Sequence, residues 1–268
     1  MRVVVTGASG FIGQALCAAL GAARHEAIPC SVRDDVALGR AEAVVHLAGI
    51  AHRRGVARED YERVNVELTH SVGRAAAALG IRMIHLSSIK VHGDESAAPL
   101  TERSPLAPAD DYARSKLRAE EALRGVAGLD LGVLRPPLVY GPGVKANFRA
   151  LLRALSAGVP LPLAGIENRR SFVYVANLCD ALLRLLQAPR TGTYLVSDGE
   201  ALSTPELCAR LARALGRRAR LFAFPKALVP RALTQSLEVD DRALREALGW
   251  RPPFSVDQGL AATAQAKP

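Results

Sequence analysis

Two sets of residues in this chain are of types and spacings that could do chemistry: Gly7, Gly10 and Gly13 in MRVVVTGASGFIG, and Tyr112 and Lys116 in YARSK. A tyrosine of ordinary pKa, about 10, is a poor base at neutral pH. A nearby ammonium stabilises its phenolate, and a lysine four residues further along a helix shares the tyrosine's face. The glycines could serve a different end. The first permits a tight turn, the second lets backbone approach a pyrophosphate, and the third lets a helix pack close on its strand. The helix N-terminus behind such a turn faces the anion. Each set alone has an ordinary explanation, as a loop punctuated by glycine or a tyrosine packing on an exposed helix. Together, with Ser87 and Ser88 closing a strand between them, they are better explained as one site where a bound dinucleotide meets a tyrosine acid/base. No metal-ligand set accompanies them.

The elements that must position these residues are legible from periodicity. Met1 to Thr6 reads as a buried strand, because Val3, Val4 and Val5 are continuous and β-branched. Gly7 to Gly13 is the turn, and Ile12 to Leu20 begins a helix. His25 to Val32, Ala43 to Leu47, Ile81 to Leu86 and Leu129 to Leu134 read as further strands. Helical apolar spacing runs from Tyr61 to Leu79, and Asp111 to Leu123 is a second such helix. This alternation predicts an α/β fold with a Rossmann-like doubly wound parallel sheet. After residue 143 the texture changes to helices (Phe148 to Leu155, Leu178 to Leu186, Pro205 to Leu215) among Pro/Gly-rich loops. We expect a dinucleotide-binding domain over 1–143 and a smaller substrate lobe over 144–268, from which the chain can return to the sheet.

Composition narrows the function. The chain has 268 residues, 49% hydrophobic and 23% charged, as in an ordinary soluble domain. No apolar run is long enough to span a bilayer and no secretory cleavage pattern is present. The four cysteines form no CxxC pair, so reduced thiols and a cytoplasmic location are expected. The formal charge is +9, but the arginines are scattered through helical segments with few aromatics between them. That argues against nucleic acid and for an anionic small-molecule substrate.

The wider spacing Gly-x-x-Gly-x-x-Gly, and TGASGFIG in particular, resembles the extended, nucleotide-sugar-modifying branch of the short-chain dehydrogenase/reductase superfamily. The resemblance implies cofactor contacts from Gly7, Gly10, Phe11, Ile12 and Gly13, from Leu47, Ala48 and Gly49, and from Ser87, Tyr112, Lys116 and Pro136. Where the family places an acidic residue for the adenosine ribose, this chain has Ser31, with Arg33 two residues on. A hydroxyl and a guanidinium suit a 2′-phosphate, so NADP(H) is favoured over NAD(H). Only residues 34–42 separate the second strand from AVVHL, so the strand–helix unit that the family fits there is expected to be missing.

In LSSIKVHG, counting back from Gly93 puts Ser88 at the family's catalytic hydroxyl position, with Ser87 supporting the loop or cofactor. Lys90 and His92 would line the substrate site. Ile89-Lys90 stands where the family's dehydratases carry Asp-Glu, which argues against dehydration. ANFRALLRAL and RRSFVYVANL make Asn147 and Arg170 candidates for the substrate diphosphate. The resemblance therefore implies hydride exchange at C4 of a UDP-linked (N-acetyl)hexose, of the kind used for bacterial surface polysaccharides. The sequence ranks a 4-ketoreductase using NADPH first and a 4-epimerase retaining NAD⁺ second. A small-carbonyl reductase or a non-catalytic NAD(P)-sensing protein ranks below both. A homodimer through the helices Tyr61 to Leu79 and Asp111 to Leu123 is also expected.

Overall fold

The computed structural model describes residues 1–31, 38–51, 55–189 and 191–266. The chain opens with β1 (Arg2–Thr6), α1 (Phe11–Ala22), β2 (Glu26–Cys30) and β3 (Ala43–His46). α2 (Arg58–Tyr61) runs through a π-helical segment (Glu62–Glu67) into α3 (Leu68–Ala78). β4 (Arg82–Leu86), α4 (Asp111–Arg124) and β5 (Leu131–Arg135) follow. β6 (Leu138–Tyr140), α5 (Ala146–Ser156), β7 (Leu161–Ala164), β8 (Arg170–Tyr174), α6 (Val175–Gln187) and β9 (Thr193–Leu195) lead into the second half. β10 (Ala201–Leu202), α7 (Thr204–Ala214), β11 (Leu221–Ala223), α8 (Arg231–Thr234), α9 (Arg242–Leu248) and α10 (Val256–Gln265) complete it.

Six strands form one sheet in the order β2-β1-β3-β4-β5-β9, and every neighbouring pair is parallel. The continuous valines of β1 are what such a sheet requires, because both of its faces are covered. Val4 packs with Val44, Met83, Val72, Ala76 and Leu123, beneath α3 and α4. Val3 and Val5 pack on the other face with Leu16 and Leu20 of α1 and with Leu178 and Leu182 of α6. β2 is an edge strand, and the described residues between it and β3 form neither strand nor helix. This agrees with the short interval in the sequence. α6 and β9 come from the second half of the chain, and β9 closes the opposite edge of the sheet against β5.

The smaller lobe holds a three-stranded sheet, β10-β8-β6, and a two-stranded one, β11-β7. Its apolar side chains, among them Phe148, Leu152, Leu163, Leu207 and Leu211, join the same core as α1 and α6. α7 starts at a capping box, in which Ser203 and Glu206 each satisfy the other's backbone N–H.

Candidate active site

Every strand of the first half ends at the same edge of the sheet, and a candidate residue follows each of them. The glycine turn follows β1, Ser31 follows β2, and Leu47-Ala48-Gly49 follows β3. Ser87-Ser88 follows β4, and Pro136 follows β5. β2 and β3 flank β1, so the strand order reverses there and opens the crevice where doubly wound sheets bind ligands.

The turn is built as the sequence demands. Gly7 has φ 70°, and a Cβ there would lie 2.7 Å from the Ala48 nitrogen. A Cβ on Gly13 would lie 2.2 Å from the Gly7 carbonyl oxygen, so only glycine lets α1 start this close to β1. The Gly10 N–H donates to the Gly7 carbonyl at 3.0 Å. Phe11 and Ile12 form the first turn of α1, which carries no acidic residue and no side-chain cap. The helix terminus is thus left to an anion, and these residues fit the pyrophosphate of a dinucleotide. Ser31 is exposed beside the turn, because its neighbour Cys30 is in register with Thr6. Arg33, the other half of the NADP(H) argument, lies outside the described residues.

Behind the turn lies a buried polar chain. The Thr6 hydroxyl oxygen accepts from the Leu47 and Ala48 N–H groups at 3.2 Å each. With both lone pairs used, its own proton goes to His46 Nδ1 at 2.8 Å, and His46 Nε2–H donates to Thr69 Oγ1 at 2.9 Å. Burial, followed by the Lys116 charge, pulls the His46 pKa down to about 3. His85 stacks on His46 with ring centroids 5.7 Å apart, and among the described residues neither of its nitrogens has a hydrogen-bond partner.

α4 carries the tyrosine and lysine. Its N-cap is Asp110, whose Oδ1 accepts from the Ala113 N–H at 2.7 Å. Tyr112 and Ser88 share a side-chain hydrogen bond, so the two candidate groups do meet. Lys116, four residues on, is 6% exposed. The electrostatics depart from the sequence expectation. Burial raises the Tyr112 pKa to about 12, offset only in part by the Ser88 hydrogen bond. Burial likewise pulls Lys116 down to about 8, against the pull of Glu120. Desolvation outweighs any help from the lysine, so the protein by itself holds Tyr112 as a neutral phenol, ready to donate.

Four other candidates are held by neighbours of their own. The Ser87 hydroxyl donates to Glu120 Oε1 at 2.5 Å. Arg135 donates to both Glu120 oxygens, at 2.9 and 2.5 Å, and Arg124 adds a bond at 2.7 Å. Burial opposes ionisation of Glu120, but Arg135 and these bonds hold its carboxyl below the usual range. Arg135 also donates to His92 Nε2 at 2.9 Å, and His92 Nδ1–H is shared by the Ser104 and Pro105 carbonyls at 3.1 Å. Both ring nitrogens are engaged, which makes His92 a brace for the loop. Lys90 Nζ pairs with Asp110 at 2.5 Å and Asp94 at 3.1 Å. Burial opposes its charge, but these partners raise its pKa overall. The Pro136 carbonyl accepts from the Ile89 N–H at 2.9 Å, tying β5 to the serine loop.

Glu120 and Arg135 escaped the sequence reading, and so did Asn65. Asn65, 1% exposed in the π-helical segment, accepts from the Ile50 N–H at 2.7 Å and donates to the Ile50 carbonyl at 3.1 Å. It also donates to Ser115 Oγ at 2.9 Å, which lies between Tyr112 and Lys116. Asn65 therefore locks the loop after β3 to the helix bearing the tyrosine. A polar residue four places after Tyr61, beside the helix's buried stripe, was the available signal.

On the substrate side, Asn147 is exposed in the first turn of α5, whose N-cap makes no side-chain bond. Arg170, half-buried at the start of β8, donates to the Gln235 carbonyl at 3.0 Å. Burial lowers its pKa, against the nearby charge of Asp94. Asp94 also pairs with Lys90, whose N–H donates to Ser88 Oγ at 3.3 Å. The charge of Asp94 thus reaches both Arg170 and the loop that carries Ser88. An open cleft of about 820 Å³ adjoins it, lined by Glu95, Glu167, Lys226, Arg231 and Gln235 among others.

Known proteins are similar to this chain in sequence and fold. The model of the NAD dependent epimerase/dehydratase family matches residues 3–196. The chain is 34% identical to a UDP-glucose 4-epimerase of Vibrio cholerae, across 98% of this chain and 94% of that one. The solved structure of RMD from Pseudomonas aeruginosa, complexed with NADPH, superposes with a TM-score of 0.83 at 26% identity, covering 98% of this chain and 96% of that one. MoeE5, solved with UDP-glucuronic acid and NAD, also gives 0.83, at 25% identity and coverages of 99% and 98%.

Proposed function

The chain belongs to the NAD-dependent epimerase/dehydratase family, the extended branch of the short-chain dehydrogenases/reductases, and from that membership and its site we propose that it is a UDP-hexose 4-epimerase. This reverses the order in which the sequence ranks its two leading readings. The 34% identity to a UDP-glucose 4-epimerase over nearly the whole chain carries the change. The argument for a reductase leaned on Ser31 and Arg33, and only Ser31 falls within the described residues.

Gly7, Gly10, Gly13 and Ala48 would hold a nicotinamide dinucleotide, whose oxidised form would accept hydride from the sugar C4 and return it. Tyr112 would take the proton from the C4 hydroxyl as hydride leaves and return it when hydride comes back, and the positive charges of Lys116 and of an oxidised nicotinamide would favour the phenolate that the first step needs. Ser88, already bonded to Tyr112, orients that oxygen. Lys116 supplies positive charge on the same helix face. Inversion at C4 requires the sugar to present its other face, so the binding groups must hold the diphosphate rather than the ring. Asn147 and Arg170 are the residues we assign to that task. The protein works in the cytoplasm as a homodimer through the α2–α3 and α4 helices.

The test is incubation of the purified protein with UDP-glucose and no added cofactor, followed by proton NMR of the C4 position. Inversion together with release of NAD⁺ on denaturation supports the epimerase. A second reading, the nucleotide-sugar 4-ketoreductase, is favoured by the NADPH complex of the Pseudomonas aeruginosa relative. Stoichiometric NADPH consumption with a 4-keto sugar, and no inversion, would establish it instead.

A further inference from the structure

Between residues 213 and 228 there are five cations and no carboxylate: Arg213, Arg217, Arg218, Arg220 and Lys226. All five are exposed, and among the described residues none makes an ion pair. Three large apolar side chains stand in solvent within the same stretch. Phe222 is 45% exposed, Phe224 44% and Leu228 70%. They are not isolated misfits in a buried strand, since every residue from Phe222 to Leu228 is exposed. Leu221 of β11 packs on the core, while Phe222 and Phe224 point away from it with their rings edge to face, 6.3 Å apart. Arg220, directly before β11, is exposed beside them. β11 is paired only with β7, so this face lies at the rim of the lobe.

We propose that this rim is a peripheral docking surface for an anionic phospholipid bilayer, with Phe222, Phe224 and Leu228 entering the interface and the surrounding arginines and Lys226 meeting the headgroups. Charge complementarity selects the partner. Apolar side chains ringed by cations combine burial with attraction to anionic lipid, and neither contribution needs a spanning segment. Among the described residues no helix is long and apolar enough to cross a membrane. A second copy of the chain fits poorly, since an isologous contact would set the five cations against their own images. Nucleic acid would use the aromatic faces for stacking, yet the most exposed apolar residue, Leu228, is aliphatic. The inference stands on this surface alone and does not depend on the epimerase reading.

The experiment is flotation of the full-length protein with phosphatidylcholine vesicles, with and without phosphatidylglycerol, at low and high salt. Binding is expected only with phosphatidylglycerol, and it should fall steeply as salt rises. Phe224→Ser with Leu228→Ser should weaken binding about tenfold, because it removes the inserted area while leaving the charge. Leu228→Trp supplies a direct readout in an otherwise unaltered chain, since the native Trp250 is 1% exposed and gives a constant background. Its emission should shift to the blue on anionic vesicles and be quenched by brominated lipid. The proposal is overturned by absence of flotation with phosphatidylglycerol, or by flotation that the double serine variant leaves unchanged. An unquenched Leu228→Trp, or tighter binding to duplex DNA than to the vesicles, overturns it as well.

Discussion

Tyr112 is harder to ionise in this protein than in water, and that decides how it can act. Its pKa of about 12 suits the half of the reaction in which it gives a proton to a developing alkoxide; the half in which it takes one depends on the added positive charge of an oxidised nicotinamide. Tyr112→Phe should lower turnover by roughly 10²–10⁴-fold, the range for one acid/base group, while dinucleotide binding measured by fluorescence stays nearly intact. His46 yields a prediction of another kind. Its pKa is about 3 in the fold and 6.5 when unfolded, so the unfolded chain binds the proton first as pH falls. The stability contributed by neutral His46 is complete above pH 6.5 and is lost towards pH 3, at about 1.4 kcal/mol per pH unit. Buried His85, whose pKa burial also holds well below the ordinary value, adds a like contribution, so chemical denaturation between pH 6.5 and 5 should show a slope steeper than one group gives, and His46→Gln should reduce it without abolishing it. Tyr112 and Lys116 were legible in the sequence as neighbours on one helix face because that depends only on local spacing, and Ser88 was singled out through the family resemblance of LSSIKVHG. Glu120 was not, since its meaning comes from Arg135 and Ser87 on two other strand ends. Nor was the desolvation that overrides the lysine, which depends on burial and not on spacing.

At the scale of elements, the site is held by a few cross-links between strand ends and α4. Asn65 is the densest of them, with bonds to both backbone groups of Ile50 and to Ser115. Asn65→Ala should cost about 1–3 kcal/mol, because it leaves the Ile50 groups without their partner. Because Ser115 sits between the two reactive side chains, kcat should fall more than KM rises; an unchanged kcat in a folded variant would reduce Asn65 to a structural brace. The first five strands, α1 and α4 could be read from periodicity and turn chemistry with ends displaced by a residue or two. The π-helical segment could not. It adds a residue to a turn inside a pattern that otherwise looks like ordinary helix, and the tertiary bonds of Asn65 are what it accommodates.

For the whole molecule, the two halves share one apolar core, and Arg170 at the start of β8 feels the charge of Asp94 in the loop after the serines. If it binds a diphosphate, each charge-assisted bond is worth about 1.5–3 kcal/mol. Arg170→Ala should then raise KM by roughly ten- to a hundredfold with kcat little changed, and free UDP should lose most of its competitive inhibition. The helices α2–α3 and α4 are expected to pair across a two-fold axis, which sedimentation at micromolar protein checks directly. A monomer there would remove that interface.

The shortened connection after β2 has a colloidal consequence. A strand at a sheet's rim offers unpaired backbone to any other chain that meets it, and is a usual starting point for aggregation. β2 carries Pro29, a residue that cannot complete a ladder on both of its sides and is tolerated only where a sheet stops. At the other rim β9 is three residues long, too short to template much. The sheet ends on each side in a strand poorly suited to recruit another, so a protein pared down on one flank can stay dispersed at high concentration.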